Sequence, residues 1–198
     1  MKDFSKSKNY EDAKTFTGTG IERLPVGGYV LQIYDATIET YDWGEKLALE
    51  FDIVEGEHVL YFTENYAAQP PENKKWKGMI RLTVPKDDGS EKDEITMRIF
   101  KTAIYDFEAS NPNYHWNWDE KTLKGKLVGG LFGNKEWAFN GKTGFFTECA
   151  YLTSVNAIRE GKFKIPKDKL LKTSTPLNNF KNKLDVSTTD DDDELPFM

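Results

Sequence analysis

Leu47, Leu49, Phe51 and Ile53 alternate strictly with Lys46, Ala48, Glu50 and Asp52. This period of two predicts a half-buried strand, with Lys46, Glu50 and Asp52 on its outward face. The run before it, Tyr29 to Tyr41, is rich in β-branched and aromatic residues and predicts a long strand. Its alternation slips between Ile33 and Tyr34, as it does where a strand is bent by a bulge or buried on both faces. Asp42-Trp43-Gly44-Glu45 joins the two runs as a turn. A paired, partly polar hairpin of this kind needs further strands to cover its apolar face.

The rest of the chain supplies them. Glu55-Gly56-Glu57 is a turn, and Val59 to Thr63 reads as a third strand that completes an antiparallel meander. Glu64 to Ser90 is irregular, interrupted by Pro70-Pro71, with a short strand candidate over Met79 to Val84. Ser90 and Asp93 have capping-box spacing. Ile95, Ile99, Phe100, Ala103, Ile104 and Phe107 then recur at three and four, which predicts a helix ended by Asn111-Pro112. Gly125 to Phe139 and Gly144 to Ile158 read as two more strands around an Asn140-Gly141 hairpin turn. Gly129, Gly130 and Gly133 within the first of these predict bending or close backbone approach. Three strands, a helix and two strands is the order of the OB-fold, a five-stranded barrel with its helix between strands 3 and 4. A plain mixed α+β sheet is the alternative. Residues 1–26 read as an N-terminal arm, 27–170 as the OB-fold domain, and 171–198 as a disordered linker and acidic tail.

Catalysis finds no support in the sequence. The single cysteine, Cys149, lies in a strand and is not set beside either histidine, His58 or His115. The glycines near residue 130 lack the Gly-Lys-Ser/Thr ending of a phosphate loop. Neither a metal nor a cofactor is expected. His115, Asp119 and Glu120 share a stretch with Trp116 and Trp118, and the histidine reads as structural. No run of about 18 apolar residues is present, so no membrane helix is expected.

Single-strand binding needs cations for phosphates and flat rings for bases. Aromatic residues make up 14% of the chain, and several sit beside lysines. Tyr41 and Trp43 occupy the first turn, with Lys46 just after. Tyr66, Lys74, Lys75, Trp76, Lys77 and Arg81 form a second group. Lys135, Trp137, Phe139 and Lys142 lie at the last hairpin, a position from which the OB-fold presents a ligand loop. In the competing reading, Trp43, Trp76 and Trp137 fold back onto the barrel and the lysines are a solvated face.

Read as one number, the net charge of −6 argues against a nucleic-acid partner. It resides entirely in residues 185–198, which hold six acids and no base; residues 1–184 are neutral. Just before that end, residues 159–184 carry eight bases and two acids. Asp190, Asp191, Asp192, Asp193 and Glu194 precede the apolar tip Leu195-Pro196-Phe197-Met198. Acids before a stiffened apolar tip fit a basic-rimmed pocket on a partner protein, a role mere solubility would not require.

This tip resembles the C-terminal end of bacterial single-stranded DNA-binding proteins, in Asp190 to Asp193, Pro196 and Phe197. Leu195 stands where Ile is common there. Met198 carries the terminal carboxylate that Phe carries in that family. Residues 27–170 are similar to a phage family described as of unknown function or as single-stranded DNA-binding protein. The similar stretches are Leu123-Lys124-Gly125-Lys126-Leu127-Val128-Gly129, Lys135-Glu136-Trp137 and Val155 to Pro166. The resemblance implies a phage or prophage protein in the cytoplasm of a bacterial host. It would bind single-stranded DNA without sequence preference and support replication and recombination. Its tip, Asp190 to Phe197, would recruit recombination or replication proteins. As a phosphate mimic, the tail would also compete with DNA for the body. Self-assembly into a homo-oligomer is compatible with this reading. The alternatives are an OB-fold module that binds only protein and a DNA mimic that regulates another protein.

Overall fold

The computed structural model describes residues 22–171. Residues 1–21 of the expected arm (1–26), residues 172–198 of the expected linker and tail (171–198), and with them the tip Asp190 to Phe197, lie outside the described residues. Five strands form one antiparallel sheet in the order β3-β2-β1-β4-β5. They are β1 (Gly27–Tyr41), β2 (Gly44–Ile53), β3 (Met79–Thr83), β4 (Leu127–Phe139) and β5 (Lys142–Thr153). Helix α1 (Tyr61–Ala67) precedes β3, α2 (Glu91–Ser110) lies between β3 and β4, and α3 (Val155–Arg159) follows β5. The edges β3 and β5 approach each other within 8 Å between Cα atoms, and no strand pairing joins them among the described residues.

The long first strand is central because its two halves have different neighbours. Leu31 to Tyr41 pairs with β2, whereas Gly27 to Gln32 pairs with β4. The slip in its alternation is a bulge, where the register shifts between Ile33 and Asp35. Before the bulge Leu31 and Ile33 face the core; after it Ala36 does. One extra residue reverses the parity, so both halves bury their apolar side. Leu47, Leu49, Phe51 and Ile53 are buried as their alternation predicts. They join Leu31, Val128, Phe132, Leu123 and Phe107 in one core. Each fully buried side chain of this size contributes about 1.5–3 kcal/mol.

The third strand is not Val59 to Thr63. Leu60 has φ 62°, which ends extended backbone, and α1 begins at the next residue. The cause is Asp52, which was expected on the outward face and is instead fully buried. Its carboxylate accepts hydrogen bonds from the N–H groups of Ile53, Phe62 and Thr63 at 2.8, 2.9 and 2.9 Å. The Thr63 hydroxyl donates a further bond at 2.6 Å. A carboxylate at a helix N-terminus satisfies donors that the helix cannot. This cap comes from another strand and overrides the β-propensity of Val59 to Thr63. Met79–Thr83 takes the third place in the meander. Gly78 precedes it because a Cβ there would collide with the Phe51 carbonyl and the Phe62 ring.

Helix α2 follows its sequence signals. The Ser90 hydroxyl caps it by accepting from the Asp93 N–H, and Phe100, Ala103, Ile104 and Phe107 are its buried face. Ile95 and Ile99, assigned to that face by periodicity, are exposed. At its end the Asn111 side chain donates to Leu127 O and accepts from Leu127 N, at 2.8 and 2.9 Å, clamping the helix to β4. The last strand is shorter than expected. It stops at Thr153 because Ser154 caps α3, its hydroxyl accepting from the Ala157 N–H. The glycine-rich part of β4 makes room for that segment. A Cβ on Gly129 would lie 2.6 Å from Ile158.

Candidate nucleic-acid interface

The register puts three aromatic and cationic groups along β1. The β1–β2 hairpin tip lies at its C-terminal end, since Tyr41 pairs with Gly44. The β4–β5 tip lies beyond its N-terminal end, because Gly27 pairs with Phe132 and β4 runs on to Phe139. A middle group sits at the bulge, roughly 20 Å along the strand from Tyr41.

At the first tip Tyr41 and Trp43 are exposed and stacked, with ring centroids 5.2 Å apart and 13° between planes. Lys46 Nζ lies 5.2 Å from the Trp43 ring centroid and 6.0 Å from that of Tyr41. The Tyr41 hydroxyl donates to Glu39 at 2.6 Å, which fixes the inner ring of the stack. Arg81 reaches Glu39 from β3 with two bonds of 2.7 and 3.0 Å. These bonds from Arg81 and Tyr41 hold the Glu39 carboxyl down to about 2, well below the ordinary range. Arg81 therefore braces the tip and is not a free phosphate ligand. A groove of about 410 Å³ lies beside the stack, between Thr40 to Glu45 and Val84 to Lys86. Lys86 adds a cation that the sequence reading did not assign here. It reaches the turn because Val84 N–H donates to Glu45 O at 2.9 Å.

In the middle group Trp76 is half-buried and packs against the core. Its ring lies 5.9 Å from both Tyr34 and Tyr66, and its Nε1 donates to Gly78 O at 2.9 Å. Trp76 thus matches the folded-back reading more closely than that of a free stacking face. Tyr66 is exposed, with Lys74 Nζ 5.0 Å from its ring centroid. The Gln69 side chain ties the loop by bonding Lys75 N and O at 2.8 and 3.0 Å. Lys74, Lys75 and Lys77 are exposed, and none makes an ion pair among the described residues.

At the last tip the Asn140-Gly141 turn has φ 48° and 74°, the geometry of a tight two-residue hairpin. It sets Phe139 opposite Lys142, Trp137 opposite Gly144 and Lys135 opposite Phe146. Paired residues share a face, so Lys135, Phe146, Trp137, Phe139 and Lys142 line one side of the ribbon. Phe139 is 70% exposed and has no packing role to explain it. Gly144 keeps the Trp137 ring flat on the strand, since a Cβ there would lie 3.0 Å from the indole. Lys135 is committed to Glu148 at 3.1 Å and lies 5.7 Å from the Phe146 ring centroid. Lys142 makes no ion pair among the described residues. Phe146 went unassigned in the sequence, although counting outward from Asn140-Gly141 places it across from Lys135.

The described residues hold no group of three or more His, Cys, Asp or Glu able to bind a metal ion, and no helix long and apolar enough to cross a membrane. Cys149 is buried, and burial pushes its thiol well above the ordinary range, which favours the neutral thiol over the thiolate. No family model and no curated protein matches the chain.

Proposed function

We propose that the protein binds single-stranded DNA without sequence preference, through an OB-fold body. The observation that carries this reading is the exposed Tyr41–Trp43 stack with Lys46 over it. A flat ring for a base and an adjacent cation for a phosphate are the two requirements of single-strand binding. The Trp137, Phe139 and Phe146 ribbon repeats that combination at the far end of β1. The strand order, the helix between β3 and β4, and the approach of β3 to β5 support the barrel. In this reading the protein supports phage replication or recombination, and Asp190 to Phe197 recruit partner proteins. Titration of the tryptophan fluorescence with oligo-dT tests it. Saturable quenching is expected. An unchanged signal at low salt overturns the reading and favours a module that binds only protein.

A further inference from the structure

Trp118 lies in the loop between α2 and β4 and is 81% exposed. Its φ is 67°, a left-handed backbone that is strained for a bulky side chain. No burial of its ring offsets that strain. The loop is nevertheless firmly built. Asn117 Oδ1 accepts from Asp119 N–H at 3.2 Å, and Asp119 Oδ1 accepts from Lys121 N–H at 3.0 Å. The Thr122 hydroxyl donates to Asp119 O at 2.7 Å. Trp116 N–H donates to Glu108 on α2 at 2.9 Å, and the Trp116 ring packs against the core. Trp118 meets Trp116 with ring centroids 6.3 Å apart and 62° between planes, and its 81% exposure leaves most of the ring surface open.

Cations and a groove follow Trp118 closely in the chain. Lys121 and Lys124, with Glu120, face Asp35 to Ile38 of β1 across a groove of about 500 Å³. Lys124 makes only a 4.0 Å approach to Asp35, and Lys121 makes no ion pair among the described residues. Asp35, which lines the groove, is the next residue along β1 from Tyr34 of the middle aromatic group.

We propose that Trp118, Lys121 and Lys124 form a further subsite for single-stranded nucleic acid. The indole stacks one base, and the two ammonium groups meet the phosphates of a strand leaving the β1 face through the groove. This rests on the single-strand reading above. The surroundings favour a nucleotide over a protein partner. Trp118 stands among Asn117, Asp119 and Lys121, whereas a protein anchor sits in an apolar, desolvated patch.

The test uses the full chain and labelled oligo-dT of roughly 4 and roughly 16 nucleotides, the range of single OB-fold sites. Trp118→Gly removes the ring and leaves a residue at ease with φ 67°. The expected result is a roughly tenfold loss of affinity for the long oligonucleotide and a smaller loss for the short one. The melting temperature should not fall. Lys121→Gln with Lys124→Gln should also flatten the salt dependence of long-oligonucleotide binding. Unchanged long-oligonucleotide affinity in Trp118→Gly, while Trp43→Ala still weakens binding, overturns the subsite and leaves Trp118 to a protein partner. An equal loss at both lengths with a lower melting temperature also overturns it. Failure of the unaltered protein to bind either oligonucleotide overturns the single-strand reading itself.

Discussion

At the β1–β2 tip two rings lie on each other; at the β4–β5 tip three rings lie along one face of a ribbon. The turn explains the difference. Trp43 is itself in the turn, so its ring can fold back onto Tyr41 in the adjoining strand. At the other tip Asn140 and Gly141 make the turn, and the rings stay in the strands. Neighbours on one face of a strand are about 7 Å apart, too far to stack on each other. The cations differ too. Lys46 lies over two rings and makes no ion pair among the described residues, whereas Lys135 is bonded to Glu148. The first tip is a rigid paired platform with a free charge. The second is a wider aromatic surface on which Lys135 is paired with Glu148 and Lys142, at the turn, makes no ion pair among the described residues.

Three experiments probe that contrast. Trp43→Ala and Trp137→Ala should each weaken oligo-dT binding by about 1–3 kcal/mol, read by fluorescence anisotropy. An effect at only one tip would make the other a bystander. A smaller effect should appear in paired substitutions. Tyr41→Ala with Trp43→Ala should be non-additive by about 0.5–1.5 kcal/mol, because removing one ring disturbs the other. Phe139→Ala with Trp137→Ala should come close to additive. Equal coupling at both tips would erase the distinction between stack and ribbon. The smallest effect concerns salt. Lys46→Gln should lower the slope of log K against log salt by about 0.7, while Lys135→Gln should change it far less. Equal changes would mean that Glu148 releases Lys135 when DNA arrives.

Much of this was legible because local rules and tertiary packing agree. The alternation from Leu47 to Ile53, the slip near Tyr34 and the Ser90 cap each fixed one element correctly. Asn140-Gly141 fixed a hairpin register from which Phe146 follows. The failures come from contacts distant in sequence. Asp52 looks outward by parity, but the N–H groups at the start of α1 draw it inside, and that helix replaces the strand expected at Val59. For Trp76 the flanking lysines left both a base-stacking and a folded-back ring open, and only the folded structure shows its ring 5.9 Å from both Tyr34 and Tyr66. Trp118 shows the reverse. In its stretch only His115 was read, as a structural residue, and the backbone angle and exposure of Trp118 mark it out.

The central claim is that the paired and the spread aromatic surfaces serve the same ligand, a single strand. Its most direct test is titration of the intact protein with oligo-dT at increasing salt, followed by tryptophan quenching. Saturable quenching is expected, with an affinity that falls linearly as log K against log salt. No quenching at low salt, or an affinity indifferent to salt, would contradict it.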